Sequence, residues 1–184
     1  MEPRSGVAVD GETCAMPLLR NNTLAPPFSL LDHAGRERTL AELSRERALV
    51  LLFFRGAFCV TARRDLLGWG DVHERIRWLG AELVAVSADP PRELSRLRDS
   101  LELPFMLLSD ADFAVSRLYG IYESDEIEAG PQPHGEPGTF VLDARGRLLF
   151  SQLQSGPKGA APANEILLML LFMQQNGGRY WDQA

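Results

Sequence analysis

Cysteine is scarce in this chain of 184 residues: there are two, Cys14 and Cys59. So few give no disulfide framework and point to a reducing compartment, the cytoplasm. Histidine is scarce too. His33, His73 and His134 share no short ligand spacing with the cysteines, which argues against a zinc site. Positive charge is in deficit, with 19 Lys and Arg against 25 Asp and Glu, a net charge of −6. Without a long basic run, neither nucleic acid nor an anionic membrane is an expected partner. The longest apolar stretch, Ile166 to Met173, falls far short of the roughly 20 residues that span a bilayer. The first twenty residues carry Glu2, Asp10 and Glu12 and lack an apolar core, so they do not read as a secretory signal. No Gly-x-x-x-x-Gly-Lys loop is present, since Gly156-Pro157-Lys158-Gly159 follows a hairpin. A cysteine at a turn, in so thiol-poor a chain, asks for a chemical explanation.

What is present is an ordinary globular composition, 45% hydrophobic and 24% charged, sized for one domain. Residues 1–24 are polar and broken by Pro3, Gly6, Gly11 and Pro17, and read as a flexible arm. Residues 25–178 form the domain, and 179–184 a tail. Within the domain, 25–32 alternates as a strand, and Thr39 caps a short helix over 40–43. Ala48 to Phe54 is a buried strand, and 62–79 a long helix with apolar positions three and four apart, stopped by Gly80. Gly68 and Gly70 mark a place where that helix could kink. A second buried strand follows at 83–87, then a helix at 92–100, an extended segment at 105–110 and a short helix at 113–118. A β-hairpin joins 139–143 to 147–152, and a last helix spans 163–175. Strand, helix, strand demands a parallel crossover, and the hairpin adds antiparallel strands. The fold class is therefore α/β, with a mixed central sheet and helices on both faces. Trp69, Trp78 and Trp181 read as packing residues, His33 as a turn residue and His73 as a helix-surface residue.

Cys59 sits where the strand ends and the long helix begins. A helix N-terminus offers unpaired N–H groups and the positive end of its dipole, and both stabilise a thiolate. Arg55, Arg63 and Arg64 flank it; a guanidinium near the sulfur would favour the thiolate, or the three are solvated charges. Thr61 either hydrogen-bonds the thiolate or caps the helix. His134 either serves as base or charge partner to the thiol, or is an exposed loop histidine. Cys14, in the arm, is either an incidental thiol or a resolving thiol that reaches Cys59.

The segment Arg55-Gly56-Ala57-Phe58-Cys59-Val60-Thr61-Ala62-Arg63-Arg64 resembles the Arg-Gly-x-Trp-Cys-Pro-x-Cys-Arg-Arg turn of redoxins in the peroxiredoxin (alkyl hydroperoxide reductase / thiol-specific antioxidant) family. Ala25-Pro26-Pro27-Phe28, Leu103-Pro104-Phe105, Leu108-Ser109-Asp110 and Tyr119-Gly120 are similar to further elements of that family. The resemblance implies a thioredoxin-like sandwich from about Ala25 to Gly177. It also implies a thiol-dependent oxidoreductase that reduces peroxides or disulfides through Cys59, with an external thiol as reductant and no metal, flavin or nucleotide. A homodimer is compatible with it. Two departures stand out. Ala62 occupies the second-cysteine position, and Pro137 stands where the family's Arg-x-Thr-Phe has arginine. In one register Cys59 is the first cysteine of the pair and Ala62 replaces the peroxide-reactive thiol. In the other, Phe58-Cys59-Val60-Thr61 resembles Val-Cys-Pro-Thr and Cys59 is itself that thiol. The spacing from Phe54 to Cys59 favours the first. The departures support an alternative function, a redoxin-fold thiol sensor or binding module that has lost peroxidase activity. Pro137-Gly138-Thr139-Phe140 also resembles the loop that carries a cis proline facing the cysteine in thioredoxin-like proteins.

Overall fold

A computed structural model describes residues 19–124, 133–156 and 161–177. Cys14, Trp181, most of the expected arm and the tail lie outside the described residues. The elements in chain order are β1 Ser29–Asp32, β2 Glu37–Thr39, α1 Leu40–Leu43, β3 Ala48–Phe53 and α2 Val60–Trp78. Then come β4 Ala81–Ser87, α3 Pro91–Ser100, β5 Met106–Ser109, α4 Ala114–Leu118, β6 Glu123–Ser124 and β7 His134–Gly135. β8 Gly138–Leu142, β9 Leu148–Leu153 and α5 Ala163–Gln175 complete the chain. Seven strands form one sheet in the order β2-β1-β5-β4-β3-β8-β9, while β6 and β7 pair separately. β3 runs parallel to β4 and antiparallel to β8, so the sheet is mixed as expected.

Side chains of a strand alternate between faces, and the core divides accordingly. Val50 and Leu52 of β3 pack with Leu66, Trp69, Val72 and Ile76 of α2 and with Ile166, Leu170 and Met173 of α5. Leu49, Leu51 and Phe53 pack on the other face with Leu40 and Leu43 of α1 and Val115 of α4. Tyr119 joins that second face, edge-on to Phe140 at 5.1 Å. Its hydroxyl donates to the Pro26 carbonyl, which ties the start of the domain to the core. Burying each such aliphatic side chain contributes about 1.5–3 kcal/mol.

Some local expectations are corrected. The strand at the domain's start begins only at Ser29, because Ala25 and Asn22 are already engaged by Gly146 and Leu148. Three polar residues, Glu37–Thr39, form a strand that no apolar alternation announces. α2 begins two residues earlier than the pattern suggested and runs through Gly68 and Gly70 without a break. His73 is buried, not on the helix surface: its ring packs 6.0 Å from Phe105. Trp78 is exposed, because the helix carries it past the sheet, whereas Trp69 packs in the core.

Candidate active site

The turn between β3 and α2 is held from β4's side. Phe54 N–H donates to Val86 O, extending the parallel pairing past the ladder. Gly56 then takes φ +134°, a conformation that side chains disfavour. A Cβ there would lie 3.0 Å from Asp89 Oδ2. That carboxylate, buried at the end of β4, accepts from Ala57 N–H at 2.8 Å and from the Ser87 hydroxyl at 2.8 Å. Cys59 N–H closes the turn onto Gly56 O. Cys59 is the N-cap of α2 and leaves its side chain unused in capping. Its sulfur therefore sits at the positive end of a 19-residue helix, as the sequence led us to expect.

Register explains the sulfur's neighbours. Phe53 of β3 faces Gly138 of β8 in an antiparallel pair. Two residues beyond the ladder on each strand stand Arg55 and Glu136, and both are buried. Arg55 Nη1 lies 3.8 Å from Cys59 Sγ. Arg55 Nη2 lies 2.7 Å from His134 Nε2, and Arg55 Nε lies 3.3 Å from Glu136 Oε2. The last pair is an ion pair without hydrogen-bond alignment. The guanidinium also lies 5.9 Å from the centroid of the Phe58 ring, which meets His134 edge-on at 5.2 Å. One buried cation thus faces a sulfur, an imidazole and a carboxylate.

The imidazole's role follows from the shorter contact. Arginine can only donate, so in this contact His134 Nε2 is the acceptor. Glu136 Oε1, 3.4 Å from the same Nε2, is the weaker neighbour. With its lone pair directed at Arg55, His134 orients the guanidinium more readily than it takes a proton from Cys59. The exposed-loop alternative for His134 is corrected: the residue is 1% exposed, pinned by β7 and the Phe58 ring.

Of the other candidates, Thr61 is the second residue of α2, so the cap is Cys59 and not Thr61. It lines an open groove of about 660 Å³ with Arg64, Trp69 and residues 161–164. Arg63 N–H bonds Cys59 O, and Arg64 is exposed beside Asp65 at 3.5 Å. The guanidinium on the sulfur is that of Arg55. Ala62 is buried in the first turn of the helix, and Pro137 is buried across from it. Both line a small, mostly apolar cavity of about 30 Å³ with Arg55, Asp65, Trp69 and Thr139. The two departures from the redoxin pattern therefore share one space beside Arg55. The expected cis bond at Pro137 is not found; no described peptide bond is cis. The trans form keeps the chain extended into β8, with Glu136 N–H on Tyr122 O and Pro137 O accepting from Gln154. Among the described residues no group of three or more His, Cys, Asp or Glu could hold a metal ion, and no helix is long and apolar enough to cross a membrane.

Sequence reasoning missed Glu136 and Asp89. Glu136 stands in a loop rich in Gly and Pro, where a carboxylate ordinarily faces water. Asp89 precedes two prolines and read only as a break. The one usable signal for Glu136 was its place two residues before the β8 strand, mirroring Arg55 two residues after β3.

A family model described as the AhpC/TSA family matches residues 22–151. The chain is 28% identical over 130 residues to Peroxiredoxin Bcp of Escherichia coli (strain K12), covering 71% of this chain and 83% of that protein. It is 30% identical over 138 residues to the chloroplastic Peroxiredoxin Q of Sedum lineare, covering 71% of each. Among solved structures, Peroxidoxin BcpB from Mycobacterium tuberculosis superposes with a TM-score of 0.74 at 22% identity, covering 84% of this chain and 98% of that one. That likeness shows the thioredoxin-like fold.

Proposed function

The chain belongs to the AhpC/TSA family, and on that footing we propose that it is a thiol-dependent peroxidase whose reacting atom is Cys59 Sγ. The observation that carries the reading is the sulfur's position at the N-terminus of α2, 3.8 Å from a buried guanidinium. There the sulfur faces the unpaired N–H end of a helix and a cation, the surroundings in which reactive cysteines are found.

In the first step the sulfur attacks one oxygen of a hydroperoxide. An S–O bond forms, the O–O bond breaks, and the leaving oxygen takes a proton and departs as alcohol or water. The thiol is oxidised to sulfenic acid and the peroxide is reduced. Arg55, facing the sulfur, is placed to stabilise charge on the departing oxygen. An external thiol then attacks the sulfenic sulfur, releasing water and leaving a mixed disulfide. A second thiol exchanges with that disulfide and regenerates Cys59. All the groups named come from one chain, so a homodimer is compatible with the chemistry but not required by it. Two cysteines in the whole chain favour a reducing site of action, the cytoplasm.

Family membership favours this reading over a binding module that has lost peroxidase activity. The test is hydroperoxide consumption with dithiothreitol as reductant. Wild type and Cys14→Ser should turn over alike, and Cys59→Ser should be inert. Turnover that survives Cys59→Ser would overturn the assignment.

A further inference from the structure

The carboxylate of Glu136 has no role in the steps above, yet it is 3% exposed and placed against the guanidinium that faces the sulfur. A buried carboxylate is costly unless it meets a cation. Here that cation is Arg55, whose planar head also has to serve Cys59. Resting on the assignment of Cys59 as the reacting thiol, we propose that Glu136 is a positioning residue that acts on Cys59 through Arg55. It holds the guanidinium by its Nε edge so that Nη1 faces the sulfur, and it neutralises part of the charge the sulfur would otherwise feel.

The geometry supports both halves. His134 and Glu136 engage two different nitrogens of Arg55, Nη2 and Nε, which leaves Nη1 directed at Sγ. Among the described residues, the charged and titratable groups around the sulfur come from four places. They are Arg55 from the end of β3, His134 and Glu136 from β7 and the loop after it, Asp89 behind the turn from β4, and Asp65 of α2 across the small cavity. Asp89 is committed to Ala57 N–H and the Ser87 hydroxyl. Among the described residues, Glu136 is the carboxylate within ion-pair distance of the guanidinium. Glutamate and thiolate therefore share one cation, and each diminishes what the other gains from it.

Glu136→Gln tests this, because the amide preserves shape and an oxygen for Nε while removing the charge. The readout is the pH profile of iodoacetamide modification of Cys59, in a Cys14→Ser background. Its midpoint should move down by about one pH unit, the size of shift a neighbouring charge causes. At pH values below both midpoints that is about a tenfold gain in alkylation rate. Glu136→Asp should stay close to wild type. The same Glu136→Gln change made together with Arg55→Gln should have less than half its effect, since the route through the guanidinium is gone. An unmoved or raised midpoint in Glu136→Gln would overturn the proposal, as would a full effect in the absence of Arg55. Should Glu136→Gln fail to fold, as judged by circular dichroism, Arg55→Gln and Glu136→Gln/Arg55→Gln supply the comparison: midpoints within about half a pH unit of each other support transmission through Arg55, and midpoints about a full unit apart contradict it. Alkylation is independent of peroxide turnover, so a chain that consumes no peroxide would sink the peroxidase reading while this measurement still decides the part played by Glu136.

Discussion

At the scale of single residues, the site is built from buried polar groups, each with a specific partner. Asp89 shows what one of them is worth. Its Oδ2 satisfies the Ala57 N–H and the Ser87 hydroxyl at once, and so fixes the turn that presents Cys59. Asp89→Ala strands both donors, and a stranded buried donor costs about 1–3 kcal/mol. We expect urea titration to give an unfolding free energy lowered by that amount, together with reduced peroxide turnover. Unchanged stability would mean that the turn is held by other contacts. Gly138 offers a steric counterpart. A Cβ at this first residue of β8 would stand 2.4 Å from Ile121 Cδ1. Gly138→Ala should destabilise by about 1–3 kcal/mol through overpacking, measured by thermal melting.

At the scale of elements, much was legible beforehand, for identifiable reasons. α5 and the Thr39-capped α1 occupy the residues their patterns marked, because periodicity and a capping side chain are local signals. The buried strands β3 and β4 were plain as apolar runs. β2 was not, since three polar residues at a sheet edge carry no alternation to read. The Arg55–His134 contact joins residues 79 apart in sequence, and only the β3–β8 register brings them together. His73 misled because one histidine among charged helix residues looks solvated, whereas the packing of α2 turns it onto Phe105. The start of α2 also bears on the missing second cysteine. Ala62 and Cys59 share its first turn, and Ala62 lines the small cavity beside Pro137. Ala62→Cys should fit with a stability change below about 1.5 kcal/mol. It should also gain disulfide-reductase or peroxidase turnover that depends on both cysteines. With Cys59 as the peroxidatic thiol in its own right, the register that gives that role to position 62 does not hold, and the added thiol acts as a resolving partner; turnover that it leaves unchanged would show that it does not reach Cys59.

At the scale of the whole molecule, buried titratable groups set how stability follows pH. Burial lowers the pKa of His73 from its ordinary 6.5. The unfolded chain then binds a proton that the folded chain resists, so this contribution to stability is full above pH 6.5 and declines as pH falls below it. His33 acts in the same direction, through burial and then the nearby Arg98. Asp32 is governed differently. Burial alone would raise its pKa, but the backbone N–H groups of Arg36 and Ala34 and the guanidinium of Arg38 together hold it below the usual carboxylate value. Its contribution is present above the ordinary value of 3.8 and is lost at still lower pH. Melting temperature should therefore fall in two stages on acidification. His73→Leu should flatten the first stage, and an unchanged slope would show that His73 does not carry it.

Whether Cys59 carries the sulfur that peroxide oxidises is decided by trapping the sulfenic acid. Fully reduced protein is given one equivalent of hydroperoxide with dimedone present, and the modified peptides are identified by mass spectrometry. The expected result is a dimedone adduct on Cys59, with peroxide consumed in step with its formation and Cys14 left as a thiol. Peroxide left unconsumed with Cys59 unmodified, or consumed while Cys59 remains a free thiol, would contradict it.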